Sequence, residues 1–367
     1  MRLMLFFQLP PPIHGVTAIN DFIYRNLNLD NDVSITLNKL QFSDTHKSLN
    51  KISIMKILYF LRTVLKLFIK LSFKKTDYVY FTITPSGVGF IRDLIFLAVF
   101  KLFNVELILH FHGVGVKKKI MARPSWKLLY RFALSGSHII HLSEHLMDAE
   151  IIEFFSSSIK SAHVIPNGIA IDRSFCELSR GMPRVLFMSN LFKSKGVIDA
   201  IKVFEITKKA VPDAVLDIVG ASSGPEMDAE IDYEIKSRNL ENDIFIHGFL
   251  KNEDKKNIIS NCQVLLHPTH NDALPLVILE AMAFGKPVIS TFIGAIEETI
   301  DHGENGFLAK VGDIESMSDH LVDLLSDDAL YQSFSTNANN KYSKNYTSEI
   351  FLDNLKDVFL QIMKMKN

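Results

Sequence analysis

Short apolar runs rich in β-branched and aromatic residues alternate with helical patterns from one end of the chain to the other. This alternation is typical of parallel sheets. Parallel strands all begin at the same end of the sheet, so a helix must carry the chain back to that end before each new strand. The pattern predicts strands at 2–7, 77–82, 106–110, 138–142 and 163–165 in the first half. In the second half it predicts strands at 184–188, 215–219, 244–247, 264–267 and 287–290, and helices at 196–210, 227–238, 255–261 and 277–284.

A cluster of Ser, Gly and Pro at 176–183 separates the two halves, and the alternation restarts directly after it. We therefore expect domains at 1–180 and 181–345, with a final helical segment at 346–367 that crosses back to the first domain. The predicted fold class is α/β, with two Rossmann-like doubly wound domains facing each other across a cleft. Ligands of such folds bind at the carboxyl ends of the strands.

Length and composition exclude several classes of protein. The chain has 367 residues, of which 47% are hydrophobic and 22% charged, as in ordinary globular proteins. Disordered, collagen-like and disulfide-scaffold chains have different compositions. The two cysteines, Cys176 and Cys262, lie far apart and match neither a metal-ligand spacing nor a disulfide framework, which favours a reducing compartment such as the cytoplasm.

Charge is distributed unevenly between the halves. Residues 1–183 contain 22 Lys and Arg against 13 Asp and Glu, and residues 184–367 contain 18 against 28, so the halves carry +9 and −10. Segments 51–75 and 117–131 interleave cations with aliphatic and aromatic residues, the second around Trp126. Basic amphipathic helices of this kind lie on anionic membrane surfaces. The alternative is an ordinary packed helix with a solvated basic stripe.

No stretch predicts a membrane span or a secretory signal. The apolar segments 52–73 and 88–103 are interrupted by charged residues and fall short of about 18 uninterrupted apolar residues. The apolar opening at 3–9 is short and runs into three prolines, so it is interpreted as a buried first strand.

Two segments in the first half follow predicted strands and contain candidate binding residues. Gly15, next to His14, precedes a helix expected to start near Thr17, where free backbone N–H groups can bind an anion; a rigid loop is the alternative. His110 and His112 end another predicted strand just before a glycine. We expect His112 to bind or polarise a hydroxyl group, and His110 to be structural.

Two segments in the second half also follow predicted strands and contain candidate binding residues. Loop 189–196 opens a helix and contains Lys193 and Lys195, which places a cation and backbone N–H groups at a diphosphate; solvated lysines are the alternative. Segment 270–283 contains Asp272 and Glu280, too widely separated for an acid/base pair on one helix face. The Asp-Asn-Asp run at 30–32 is interpreted as a solvated turn and not as a metal site.

Taken together, these segments resemble the retaining, nucleotide-sugar-dependent glycosyltransferases of family 4, which have the GT-B fold. Residues 165–168 match the interdomain Pro-Asn-Gly turn of the family, 189–196 its phosphate loop ending in Lys-Gly, and 272–280 its two-carboxylate motif. The Leu-Glu-Ala-Met-Ala run followed by Gly-Lys-Pro-Val-Ile at 285–289 makes the match specific. The resemblance covers essentially the whole chain.

The resemblance implies an acceptor-binding first domain and a donor-binding second domain. Glu280 would bind the ribose, Lys195 the diphosphate and Asp272 the transferred sugar, while Phe249 and Leu250 would hold the base. The implied catalytic residues are His112, Lys195 and Asp272, and the implied acceptor-side residues are His14 and His112. The implied donor-binding residues are Gly15, Ser189, Asn190, Lys195, Gly220, Phe249, Leu250, Asp272, Leu274, Pro275, Leu276, Val277 and Glu280.

The chain departs from the family pattern at two places. Asp272 replaces the usual Glu and is followed by Ala273 in place of Gly, which puts the positioning of the sugar in doubt. Ser189-Asn190 replaces the frequent Gly-Arg, so one permanent cation is lost. Lys193 is the cation that could replace it.

The predicted function is a retaining, metal-independent glycosyltransferase that needs no cofactor, because Lys195 and helix dipoles can stabilise a departing diphosphate. Its donor is expected to be a UDP-sugar, and its acceptor a lipid-linked or surface-polysaccharide glycan of the O-antigen or capsule type. A polyprenyl-diphosphate-linked acceptor would place the protein at the inner face of the cell membrane, bound through its basic first domain. The alternatives are a non-catalytic sugar-nucleotide-binding or scaffold subunit and, less favoured, an epimerase or phosphorylase. A nucleic-acid partner is not expected, since the cations accompany aliphatic residues.

Overall fold

The computed structural model describes residues 1–11, 14–29, 32–40, 54–171 and 182–365. The chain divides into two compact units, formed by Met1–Asn167 with Ile350–Asn367 and by Gly168–Glu349. Part of the sequence predictions, namely Asp30, Asn31, Cys176 and the start of the basic segment at 51–53, lies outside the described residues. Among the described residues, none of the helices combines the length and the apolar composition of a membrane span.

The first unit contains a parallel sheet of six strands in the order β2-β1-β3-β4-β5-β6. The strands are β1 (Arg2–Gln8), β2 (Ser34–Leu40), β3 (Tyr78–Ile83), β4 (Glu106–Phe111), β5 (His138–His141) and β6 (Ser161–Val164). The helices are α1 (Gly15–Asn26), α2 (Ile54–Phe73), α3 (Gly87–Leu102), α4 (Val116–Ala122), α5 (Trp126–Leu134), α6 (Glu144–Met147) and α7 (Glu153–Phe155), with a π-helical turn at Asp148–Ile152.

Helices cover both faces of this sheet because the side chains of its central strands alternate between faces. On one face Phe6 packs edge-on against Phe81 and Phe96, with ring centroids 5.2 and 4.9 Å apart. On the other face Tyr80 packs against Phe359, a residue of the last helix of the chain, with the ring centroids 5.3 Å apart. The final helical segment therefore belongs to the core of the first unit.

The second unit contains another parallel sheet of six strands, in the order β12-β11-β10-β7-β8-β9. Its strands are β7 (Arg184–Met188), β8 (Val215–Val219), β9 (Ile244–Gly248), β10 (Val264–His267), β11 (Val288–Thr291) and β12 (Gly306–Ala309). The helices are α8 (Val197–Ala210), α9 (Pro225–Ser237), α10 (Asn252–Asn261), α11 (Leu276–Ala283), α12 (Ile296–Thr299), α13 (Ile314–Ser326), α14 (Asp328–Asn345) and α15 (Ser348–Lys364), the last of which continues into the first unit.

The predicted α/β class with two doubly wound parallel sheets is confirmed, and all ten predicted strands are present within a few residues. Two edge strands, β2 and β12, were not expected. β2 alternates exposed and half-buried positions, and β12 is only four residues long, so neither contains the long apolar run that marks a buried strand. In each parallel sheet the loops that follow the strands lie at the carboxyl ends of the strands, and the predicted site residues lie on these loops.

Candidate active site

The predicted phosphate loop follows β7 and leads into α8. It contains a single 3-10 turn, Lys193–Lys195, and then Gly196 with a φ of 80°. A Cβ at Gly196 would lie 2.0 Å from the carbonyl oxygen of Pro268, so only glycine permits this approach to the loop after β10. The loop is thereby fixed against the segment that contains Asp272.

The loop after β8 packs equally closely on the phosphate loop. A Cβ at Gly220 would lie 1.7 Å from the carbonyl oxygen of Ser189. The backbone N–H of Leu191 donates to Ala221 at 2.9 Å, and that of Ser189 donates to Val219 at 3.0 Å. The backbones of Ser189 and Gly220, both predicted donor-binding residues, are therefore in close contact. Asn190 is the next residue in the loop after β7.

Lys195 and Asp272 form an ion pair. The Lys195 Nζ lies 2.5 Å from the Asp272 Oδ1 and also donates to the carbonyl oxygen of Asn271 at 3.1 Å. Lys193, the other cation of the loop, points elsewhere and pairs with Glu230 at 2.7 Å. Its side chain is 72% exposed, so the structure singles out Lys195 as the cation held at the centre of the site.

The second oxygen of Asp272 is held by contacts with His267 and Thr269, at and just after the end of β10. Its Oδ2 lies 3.1 Å from the His267 Nε2 and accepts from the Thr269 hydroxyl at 3.0 Å. Burial raises the pKa of Asp272, but the hydrogen bond and charge of His267 and the charge of Lys195 outweigh it, so the net shift is downward. Asp272 is therefore an ionised carboxylate with both oxygens engaged.

Helix α11 begins at Leu276, four residues after Asp272. Pro275 is its N-cap, and Leu276 and Val277 form its first turn, where backbone N–H groups have no acceptor within the helix. Leu274 and the core positions of α11 are buried, which fixes the helix against the sheet. Its positive end consequently lies beside the Lys195–Asp272 pair and is suited to an anion.

Glu280 lies in the second turn of α11 and is paired with a residue that the sequence did not single out. Its Oε1 accepts from the Lys255 Nζ of α10 at 2.6 Å. Its Oε2 is buried and has no hydrogen-bond partner within the described part of the chain. A buried carboxylate oxygen without a partner is unfavourable, so this atom is available to a hydroxyl donor of a ligand.

Phe249 and Leu250 follow β9 at the same edge of the sheet. Phe249 is 48% exposed and lies 5.4 Å under the Lys251 Nζ. Leu250 lines a cavity of about 590 Å³ between α10 and the sheet. That cavity contains Arg184, whose guanidinium binds the buried Asp217 at 2.8 and 2.9 Å, and its lining includes none of Lys195, Asp272 and Glu280.

The first-unit candidates lie at the ends of β1 and β4. Helix α1 begins at Gly15, two residues before the expected start, with His14 as its N-cap. The His14 backbone N–H donates to the Thr17 hydroxyl at 2.9 Å. Residues 12 and 13, which precede His14, lie outside the described residues.

His112 is held in one orientation at the end of β4. Its Nδ1 lies 3.1 Å from the Asn167 Oδ1, and its Nε2 is buried and without a partner in the described residues. Burial lowers the pKa of His112 to about 4, a shift only partly opposed by the Asn167 hydrogen bond. The ring is therefore neutral at pH 7 and can accept a hydrogen bond at Nε2. His110, below it, contacts the Tyr80 hydroxyl at 2.6 Å and is fully buried, as expected for a structural residue.

The structure thus brings together Ser189, Lys195, Gly220, Asp272 and the start of α11 at the carboxyl ends of the strands of the second sheet. Sequence reasoning missed the residues that hold this group in place. His267 and Thr269 fix Asp272, and a Cβ at Gly294 would lie 2.5 Å from the carbonyl oxygen of Asp272. The only signal for His267 and Thr269 was the sequence His-Pro-Thr-His at the end of a predicted strand. In the described residues no group of three or more His, Cys, Asp or Glu side chains is arranged to hold a metal ion.

Comparison with known proteins shows what the second unit is similar to. Residues 172–341, most of the second unit, match the family model of the glycosyl transferases group 1. The chain is a glycosyltransferase, and its second unit is similar to the group 1 enzymes. The family-4 resemblance inferred from the motifs is consistent with that result.

Relatives of this glycosyltransferase extend the similarity beyond the second unit. N-acetyl-alpha-D-glucosaminyl L-malate synthase of Bacillus anthracis is 25% identical over 270 residues, covering 71% of this chain and 69% of that protein. UDP-Gal:alpha-D-GlcNAc-diphosphoundecaprenol alpha-1,3-galactosyltransferase of Escherichia coli is 25% identical over 288 residues, covering 72% of each. The Anabaena protein Alr3699/HepE, solved in complex with UDP-glucose, shares the fold with a TM-score of 0.74 at 18% identity, over 98% of this chain and 99% of that chain.

Proposed function

We propose that this glycosyltransferase transfers a sugar from a UDP-sugar to a lipid-linked or surface-polysaccharide acceptor, with retention at the anomeric carbon and without a metal ion. The observation that supports this proposal is the Lys195–Asp272 ion pair beside the free N–H groups of α11. A cation and a helix N-terminus at one edge of the sheet offer two independent sources of positive potential to a diphosphate.

The proposed reaction exchanges two bonds at the anomeric carbon. The bond from this carbon to the diphosphate oxygen breaks, and a bond to the acceptor hydroxyl oxygen forms on the same face of the sugar. The hydroxyl proton passes to the departing phosphate oxygen. Lys195 balances the charge that develops on this leaving group, and Asp272 keeps the Lys195 ammonium group in place.

UDP is the proposed nucleotide because UDP or UDP-sugars occur in the names of two similar proteins. The Escherichia coli relative is named for UDP-Gal, and the Anabaena structure contains UDP-glucose. In this chain Glu280, with its buried and unpartnered Oε2, is proposed to accept a hydrogen bond from the ribose. The name of the Escherichia coli relative also contains a diphosphoundecaprenol-linked acceptor, which supports a lipid-linked acceptor here.

A lipid-linked acceptor requires access to a membrane surface, and the first unit presents an exposed apolar surface on α2, α3 and α5. We call it the apolar helix face. Its members are Ile57, Leu58, Leu61, Leu65, Phe68, Ile69 and Phe73 on α2, Val88, Ile91, Ile95 and Leu102 on α3, and Leu128 and Phe132 on α5. On α2 they recur at helical spacing opposite the buried Leu67 and Leu71.

The net charge of the segment that contains the apolar helix face indicates its partner. Residues 54–131 contain 14 Lys and Arg against 3 Asp and Glu. An apolar stripe with a cationic border binds the interface of an anionic bilayer, because the side chains enter the acyl boundary while the cations contact lipid phosphates. The proposed location is therefore the inner face of the cell membrane, where UDP-sugars and the lipid-linked acceptor meet.

The donor part of this proposal is tested with a panel of UDP-, GDP-, ADP- and CMP-sugars in the presence of EDTA. Binding is measured by calorimetry, and the anomeric configuration of any released or transferred sugar by NMR. We expect one UDP-sugar to bind and to be turned over with retention. Turnover only after addition of Mg²⁺ would contradict the metal-independent mechanism, and binding without turnover would favour the non-catalytic subunit.

The membrane part is tested with vesicles of phosphatidylglycerol and phosphatidylethanolamine. Leu65 and Phe73 are 60% and 85% exposed, so burying each contributes about 1 to 2 kcal/mol. The double variant Leu65→Ser, Phe73→Ser should therefore co-sediment at least about 30-fold more weakly. Tyr233→Ser, which removes a 68% exposed ring from the second unit, is the matched control. Equal binding by both variants would contradict the assignment.

A further inference from the structure

Lys255 stands outside the group of residues that the family motifs identify, yet it contacts one of them directly. It lies on α10, and its Nζ is 2.6 Å from the Glu280 Oε1 on α11. The side chains are 33% and 17% exposed, so the contact is largely removed from solvent. A hydrogen-bonded ion pair in such surroundings restricts the rotation of both groups.

The pairing makes the two oxygens of Glu280 unequal. Oε1 accepts from Lys255, whereas Oε2 is buried and has no partner among the described residues. Without Lys255 the carboxylate could turn about its last bond and offer either oxygen to a ligand. With Lys255 in place, only Oε2 remains fully available.

The remaining cations near α10 do not share this role. Lys256, the next residue, pairs with Glu253 within its own helix at 3.0 Å. Lys251 lies over the Phe249 ring. Of the three lysines, therefore, only Lys255 is bonded to the proposed ribose-binding carboxylate.

We propose that Lys255 is a positioning residue that determines how the ribose is recognised. It fixes the Glu280 carboxylate so that Oε2 accepts from one ribose hydroxyl, instead of both oxygens accepting from the two neighbouring hydroxyls. This inference rests on the proposed function, because it takes Glu280 as the ribose contact. Its consequence is an unequal dependence of binding on the two hydroxyls.

The test compares the binding of UDP, 2′-deoxy-UDP and 3′-deoxy-UDP by calorimetry. A hydrogen bond to a charged group is worth about 10- to 100-fold in affinity. We expect the wild-type protein to lose about that factor with one analogue and less than about threefold with the other. In Lys255→Met the two analogues should become equal within about threefold, and Lys255→Arg should restore the inequality.

Lys256→Met is the matched control, since it removes a neighbouring cation from the same helix and should leave the inequality intact. Equal losses in the wild type, or an inequality that persists in Lys255→Met, would overturn the proposal. The wild-type comparison needs no variant, so it decides the matter even if Lys255→Met does not fold. Failure of the wild type to bind UDP would instead contradict the proposed donor, which is a distinguishable result.

Discussion

Replacing Lys195 with alanine is the perturbation that acts most directly on the proposed chemistry. The variant removes the ammonium group that is 2.5 Å from Asp272 and 3.1 Å from the carbonyl oxygen of Asn271. It leaves the backbone of the phosphate loop unchanged, because Gly196 and the 3-10 turn are held by backbone contacts.

The expected effect follows from the electrostatics of a partly buried site. A unit charge about 4 Å from another contributes about 4 kcal/mol at an effective dielectric constant near 20. The Lys195 side chain is 23% exposed and paired with Asp272, so solvent and that carboxylate screen part of its charge, and the α11 N-terminus compensates for part of the loss. Removal of one preorganised charge-stabilising group typically costs about 100- to 1,000-fold in kcat, and we expect a loss in that range for Lys195→Ala.

The assay is steady-state release of UDP from the donor identified in the panel, with Lys193→Ala as the control. Lys193 is in the same turn but pairs with Glu230 and is exposed, so its removal should change kcat less than about threefold. Urea unfolding of both variants separates loss of charge from loss of structure. If Lys195→Ala and Lys193→Ala had equal kcat values, the assignment of Lys195 to the diphosphate would be wrong.

Two further predictions concern packing and titration. Gly220→Ala should cost several kcal/mol of unfolding free energy, because its Cβ would lie 1.7 Å from the Ser189 oxygen, whereas Gly312→Ala, in open space at a φ of 79°, should cost about 1 to 2 kcal/mol; equal urea midpoints would contradict the packing argument. The pKa of buried His112 is about 4 and that of an unfolded histidine about 6.5, so the unfolded chain binds more protons between these values and stability falls as pH decreases through them. His112→Gln should reduce the loss of unfolding free energy between pH 7 and pH 5, and an unchanged loss would refute the burial of a neutral ring.

The sequence was informative where buried strands and glycines dictate the backbone. Continuous apolar runs identified the central strands, and Gly196 was predicted at the start of a helix, where the structure has it as the N-cap of α8. The edge strands β2 and β12 were missed, since one alternates polar residues and the other is short. Hydrophobic periodicity reports burial, and edge positions are buried on fewer sides.

Side-chain partnerships were the part that sequence could not supply. Asp272 and Glu280 were identified from a motif, but their partners Thr269 and Lys255 depend on how β10, α10 and α11 pack together. The contact between His112 and Asn167 joins residues that are 55 positions apart. Each such pair depends on the tertiary structure and leaves no periodic pattern in the sequence.

Sugar transfer itself is the most direct test of the account. The UDP-sugar that binds is incubated with a sugar linked to a short-chain polyprenyl diphosphate, and the anomeric configuration of the product is determined by NMR. We predict a glycoside with the configuration of the donor, formed by the wild type and slowed at least about 100-fold in Lys195→Ala. A product of inverted configuration, or release of no UDP with any donor and acceptor, would contradict the central claim.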